Sequence, residues 1–437
     1  MGHVNGSGEV KYVKCQICGE VFEAGKTVCP VCGMGPEHFV PVERESVAYR
    51  NDTERSYVVL GSGRAAVSAA EAIRARDAGG TVTMISAERE LPYTRPMLTK
   101  QMFAELGSKP FAFCEEEWFE KNRVQRVTGT VSALNVAEKK VLLADGSEYP
   151  YDKCVYALGA HFFVPPFEGR EDPRVTTLRT LEDLTKLRSL LEAGKETAII
   201  GGGVVGLEAA WELRKYGCNV TVFEAGPSLM SGRLEPVASK LLQSLVEESG
   251  IRVVANAAVQ KYENGAVVLA DGAEFPANMV LVSCGVRANS AVAAEAGVAL
   301  GRAIIVNDRM ETNIPDLYAA GDCAEFEGMN YALWPEADAQ GQAAGANAVG
   351  DDVRYVSEIY GMSMHLCNTE LYAIGMTRGG EEFFAAETLD QEKKTLKKYF
   401  FLEGILKGAI LIGDTRELAR VTDWINRGAN YGEVMYR

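Results

Sequence analysis

The sequence predicts an α/β protein built from two tandem β-α-β halves, with a small four-cysteine module ahead of them and an α+β domain behind. Three observations carry this reading. A glycine-rich turn between a buried strand and an Ala-rich helix occurs twice, in "YVVLGSGRAAVSAAEAIRARD" from residue 57 and "TAIIGGGVVGLEAAWELRKYG" from residue 197. An Asp-Gly hairpin ahead of a strand that ends at a glycine also occurs twice, in "ADGSEYPYDKCVYALGA" at 144–160 and "ADGAEFPANMVLVSCGV" at 270–286. Finally, "CQICGEVFEAGKTVCPVC" at 15–32 holds two C-x-x-C pairs.

Global limits agree. A chain of 437 residues with 47% hydrophobic and 24% charged residues is globular and long enough for two to four domains. Its formal net charge of -15 repels nucleic-acid phosphates and anionic membrane surfaces, so neither is expected as a partner. The start, "MGHVNGSGEV", lacks a secretory pattern, and no apolar run approaches the ~18 residues of a membrane span, which reads as cytoplasmic. In a reducing compartment Cys15, Cys18, Cys29 and Cys32 are metal ligands rather than disulfides. Cys114, Cys154, Cys218, Cys284, Cys323 and Cys367 stand alone and read as small buried apolar residues.

Taken in order, residues 1–42 form the metal module, and the polar stretch 43–56 reads as a linker. As a random coil of ~16 residues, the segment from about 41 to 56 would span on the order of 20 to 25 Å and tether the module at high effective concentration. Residues 57–162 and 286–350 make the first half, 163–285 the second, and 351–437 the α+β domain. In that last part "LKKYFFLEGILKGAILIGDT" at 396–415 reads as two strands around Glu403-Gly404, followed by a helix.

Gly61-x-Gly63-x-x-Ala66 sits where strand becomes helix, so the glycines permit a tight turn and let a pyrophosphate approach the helix N-terminus. Gly201-x-Gly203-x-x-Gly206 repeats the context and is followed by Glu224 at the end of "VTVFE", where a carboxylate accepts from a ribose 2'-hydroxyl and favours NADH over NADPH. Arg233 nearby tempers that preference. The first half departs from the rule: "VTMIS" puts Ser86 where the acid belongs, and Glu88, two positions on, is assigned to the ribose of FAD. The strand ends at Ala157, Gly159 and Gly285 complete the two Rossmann-like dinucleotide sites.

With "TNIPDLYAAGDCAE", "LPYTRPMLTK" at 91–100, the run Gly206-Leu207-Glu208-Ala209-Ala210 and "GAILIGDT" at 408–415, the chain from about residue 57 onward resembles the glutathione reductase-like flavoproteins. The likeness is to the branch of NADH:rubredoxin oxidoreductases and the flavin half of nitrite reductase large subunits. The resemblance implies that Gly321 and Asp322 bind FAD, that Arg95 reaches its pyrophosphate, and that Lys100 and Glu208 form an ion pair near flavin N5. It also implies that a helix beginning at "WPEADAQ", with Pro335 in its first turn, points its N-terminus at the flavin pyrimidine ring. The C-x4-C pair of disulfide reductases is missing from residues 64–78, and 91–100 lacks the single cysteine of related oxidases and peroxidases.

"YVKC" and "CPVCGMGPEHF", with Phe39, resemble the opening and closing segments of rubredoxins, although ten residues between the pairs is nearer the compact modules of rubrerythrins. Four thiolates suit iron or zinc. The expected activity is therefore transfer of a hydride from NADH to FAD, then of single electrons to a rubredoxin-type iron and on to a redox protein of rubredoxin, rubrerythrin or flavodiiron type. Two alternatives stay open: an NADH oxidase or peroxidase with a structural zinc ribbon, and a non-catalytic NAD-sensing flavoprotein. The last domain is a common dimer contact in these flavoproteins, so a homodimer is compatible with the resemblance. His3, His38, His161 and His365 show no metal-ligand spacing.

Overall fold

The computed structural model describes residues 12–42, 51–105 and 111–436. Strands form where the sequence places continuous runs of Val, Ile, Leu and Met, because a parallel strand is buried on both faces. The first half carries a five-stranded parallel sheet in the order Leu317–Ala319, Lys153–Tyr156, Ser56–Leu60, Thr81–Ser86, Val124–Thr128. The second repeats it with Val175–Thr176, Met279–Val282, Glu196–Ile200, Asn219–Phe223 and Arg252–Val254. Each half also bears a three-stranded antiparallel sheet, 131–150 and 259–276, and in each the Asp-Gly turn joins the second strand to the third.

The glycine turns are close approaches that no side chain would permit. Gly61 and Gly201 both have φ +113°, and a Cβ on either would fall 2.2 Å from a carbonyl oxygen, that of Ala157 or Ser283. Behind the first turn, helix Arg64–Arg76 packs on helix Trp334–Val349 through small residues. A Cβ at Gly341 or Gly345 would lie 2.3 Å from the oxygen of Ala65 or Ala69, so larger residues there would force the helices apart.

The last domain is a five-stranded antiparallel sheet in the order Met362–Leu366, Thr369–Gly375, Ile405–Ile412, Thr395–Leu402, Phe384–Asp390, with helix Leu418–Asn426 on one face. Its strands Thr395–Leu402 and Ile405–Ile412 meet at Glu403-Gly404, as the sequence suggests.

The four-cysteine module is a three-stranded antiparallel sheet, Val21–Glu23, Tyr12–Cys15, Phe39–Val42. It is not held at a distance. Its buried Ile17, Val31 and Met34 belong to one apolar cluster with Tyr372, Leu411 and Trp424 of the last domain. The expected linker is also partly fixed: Thr53 bonds Asp77, and Arg55 donates to the Val349 carbonyl at 3.2 Å. Its residues 43–50 lie outside the described residues. No helix among the described residues is long and apolar enough to cross a membrane.

Candidate active site and four-cysteine centre

A cavity of about 990 Å³ opens between the first glycine turn and the second half. Gly61, Gly63, Glu88, Arg95, Lys100, Ala157, Gly159, Glu208, Gly321 and Asp322 all line it, although they come from stretches up to 261 residues apart (322 − 61). Ala66 is fully buried on the helix beneath the turn. Pro335 does not line the cavity, but Trp334 and Ala337 on either side of it do.

Lys100 closes the short helix Met97–Lys100, and Glu208 projects from helix Val204–Tyr216. Their side chains meet at 2.5 Å, and Thr99 Oγ donates to the other Glu208 oxygen at 2.6 Å. Glu208 is buried, so both its oxygens need the donors they have. A cation is thereby fixed at the cavity wall with its carboxylate partner behind it.

Glu88 and Arg95 occur as a pair. Arg95 ion-pairs with Glu88, donates to the Tyr93 hydroxyl at 2.7 Å, and Tyr93 in turn donates to Glu88 at 2.6 Å. Ser86, standing where an acid was expected, bonds Ser62 of the glycine turn at 2.9 Å and accepts from the Glu88 amide. The hydroxyl thus ties the turn to the strand end that carries Glu88.

Two cavity residues escaped the sequence reading. Arg179 pairs with Asp322 at 2.5 Å and donates to the Ala160 carbonyl. Its one sequence signal is the capping box that follows, Thr180 with Asp183, which sets Arg179 at the mouth of a helix start. Arg64 follows Gly63 directly, where a cation opposes the helix dipole. It is buried, paired with Asp338 at 2.9 Å, and its Nε has no hydrogen-bond partner among the described residues. That misplaced charge was the available signal.

At the second turn, Glu224 accepts from the amides of Gly202 at 2.8 Å and Gly226 at 2.6 Å. The carboxylate is held against the second glycine turn at Gly202, with lone pairs left for a ligand hydroxyl. Gly285 lies in the loop between the strands Met279–Val282 and Val286–Ala288, in the left-handed region at φ +88°.

The sulfurs of Cys15, Cys18, Cys29 and Cys32 all lie within 4.8 Å of one another. Cys15 and Cys32 are 3.6 Å apart, and Cys18 and Cys29 are 3.5 Å apart. These are far from a disulfide bond of ~2.05 Å. They approach the ~3.8 Å edge of a tetrahedron built on metal–sulfur bonds of ~2.3 Å. Hydrogen bonds from its neighbours hold the Cys15 thiol far below its ordinary range, and the same contacts push Cys18 up. A cation at the centre would let all four ionise, so the donor set fits a tetrahedral metal.

A second cavity of about 430 Å³ has Cys32 and Gly33 on one wall and Thr99, Lys100 and Glu208 on another. Those three residues also line the larger cavity, so the ion pair stands between the two. The other six cysteines are unpaired, five of them buried, and Cys284 partly exposed.

Residues 55–341 match the family described as pyridine nucleotide-disulphide oxidoreductase, and residues 363–429 match the rubredoxin NAD+ reductase C-terminal domain. The chain is 29% identical to a nitrite reductase [NAD(P)H] of Bacillus subtilis (strain 168) over 87% of its own length; it spans about half of that relative, 48%. It is 33% identical to a nitric oxide reductase FlRd-NAD(+) reductase of Vibrio vulnificus (strain CMCP6), over 62% of this chain and 72% of that one. Among solved structures, NADH:rubredoxin oxidoreductase from Clostridium acetobutylicum is similar with a TM-score of 0.73 at 24% identity, covering 88% of this chain and 98% of that one. That likeness speaks for the fold.

Proposed function

Because the chain belongs to the pyridine nucleotide-disulphide oxidoreductase family, we propose that this NAD(P)H-dependent flavin oxidoreductase uses NADH and delivers electrons one at a time, through an iron held by Cys15, Cys18, Cys29 and Cys32, to a small redox protein. The observation that carries the reading is the shared wall: the four-cysteine centre and the larger cavity are separated by the Lys100–Glu208 pair. FAD, when bound, supplies the conversion of a two-electron donor into one-electron steps, and an iron in four thiolates supplies a single-electron carrier.

The chain's own groups have definite tasks in this reading. The turns at Gly61 and Gly201 open backbone amides at helix N-termini to two pyrophosphates. Gly321 packs against Ala65 just behind the first turn and, with Asp322 and Arg179, lines the larger cavity, where these residues would bind the ribityl and phosphate region; Glu88, Tyr93 and Arg95 offer one acceptor-rich and one cationic face nearby. Lys100 holds a positive charge at the cavity wall, favouring an anionic ligand there, and Glu208 keeps it in place. Glu224 accepts from the ribose of the nicotinamide nucleotide and disfavours a 2'-phosphate by charge.

The missing redox cysteines at residues 64–78 and 91–100 support an exit other than a disulfide. The absorption spectrum of the purified protein, with metal analysis, tests the cofactor set. Flavin bands overlaid on ferric-thiolate bands are expected; flavin alone with stoichiometric zinc would leave the cysteines a structural part.

A further inference from the structure

We infer that the four-cysteine module works from a fixed, docked position, latched to the wall of the flavin cavity by Glu20 with Trp334 and by Lys14 with Glu358, and does not swing on its linker. The inference rests on the functional reading above, and four contacts carry it.

The first knuckle meets the first turn of helix Trp334–Val349. Glu20, buried just after Cys18-Gly19, accepts the Trp334 indole N–H at 2.8 Å, and Trp334 itself lines the larger cavity. Gly19 lies so close to that helix that an added Cβ would be 3.1 Å from the Pro335 Cβ and 2.3 Å from the Tyr360 ring. The buried guanidinium of Arg64, another cavity residue, lies in the field of both Glu20 and Asp338.

The second knuckle lies at another stretch, where Cys32 and Gly33 line the smaller cavity together with Lys100 and Glu208. The module therefore stands beside two separate stretches that line the larger cavity, Trp334 and the Lys100–Glu208 pair. Beneath it, Met34 Sδ lies 3.2 Å from His365 Nε2, and Ile17 and Val31 share the apolar cluster of the last domain. A module this short cannot bury a core by itself, so release would expose these side chains to water. Lys14 and Glu358, 2.9 Å apart at the rim, add an exposed ion pair of modest strength.

A tether and a latch differ in measurable ways. Hydrogen exchange is read on the full chain loaded with zinc, which is redox-silent, so docking is measured apart from activity. Slow exchange is expected across residues 15–20, where the Cys15, Gln16 and Gly19 amides are hydrogen-bonded, comparable to that of the strand Thr369–Gly375. Glu20→Ala is expected to raise exchange at 15–20 by about tenfold or more, whereas Glu20→Gln, which keeps an acceptor for the indole, stays near wild type. Lys14→Glu should loosen the module, and adding Glu358→Lys should restore it. On the iron-loaded chain, electron passage from flavin to iron is expected to be independent of solvent viscosity and slowed in Glu20→Ala, with flavin reduction by NADH unchanged. Fast exchange at 15–20 in wild type, indifference to Glu20→Ala, or a rate that falls in proportion to viscosity would overturn the latch. Protected amides with an iron that NADH never reduces would instead sink the functional reading while the docked position stands.

Discussion

The ammonium of Lys100 lies 2.5 Å from Oε1 of Glu208 and joins the two nucleotide-binding halves at the one wall shared by both cavities. A buried carboxylate that lost its cation would keep a desolvated charge, so the two residues stand or fall together.

Lys100→Met is expected to leave the cavity able to bind FAD, because the glycine turn and Asp322 are untouched, while slowing flavin reduction by NADH roughly 10- to 100-fold, or about 1.4 to 2.7 kcal/mol. Anaerobic stopped-flow at the flavin band measures it. A wild-type rate would remove Lys100 from the reaction.

Glu224→Arg removes an acceptor held by the Gly202 and Gly226 amides and puts a cation in its place. The ratio of kcat/KM for NADH over NADPH is expected to fall by at least about tenfold. An unchanged ratio would mean that Glu224 does not face the ribose.

Glu336, in the first turn of helix Trp334–Val349, is buried, and burial pushes its carboxyl up to about 7 although Ser357 donates to it at 2.7 Å. The folded state thus binds a proton between the unfolded value near 4.5 and about 7 that the unfolded chain has released. Stability from this group is full below the lower value, declines as pH rises, and is lost above the upper one, at most about 3 kcal/mol. Thermal melts from pH 5 to 8 should show a falling Tm in wild type and a flatter profile in Glu336→Gln. Parallel profiles would assign the pH dependence elsewhere.

The features legible in the sequence are those set by local chemistry. Gly61 and Gly201 announce themselves because only glycine fits φ +113° beneath a carbonyl, and the cysteine pairs because C-x-x-C spacing gathers sulfurs within one knuckle. Lys100 and Glu208 were reached through resemblance, since nothing in either stretch reports a partner 108 residues away. Arg179 with Asp322 escaped notice for the same reason, 143 residues separating them. The docked module escaped because its polar connection looked like a free tether, whereas the burial of Glu20 and the fit of Gly19 against Pro335 depend on a surface assembled from distant strands and helices.

Cys29→Ser with Cys32→Ser should abolish stoichiometric metal while NADH still bleaches the flavin. Delivery to a rubredoxin-type acceptor is then expected to drop by about tenfold or more. Equal loss of both half-reactions would point to a general folding defect; intact delivery would take the cysteines off the route.

The most direct test is an anaerobic titration of the iron-replete protein with NADH, followed at flavin and ferric-thiolate wavelengths. A two-electron flavin in circuit with a one-electron iron should consume about one and a half equivalents of NADH before both chromophores are reduced. Bleaching complete at one equivalent, with the iron still ferric or with zinc in its place, would contradict the claim that these four cysteines carry electrons out of the flavin.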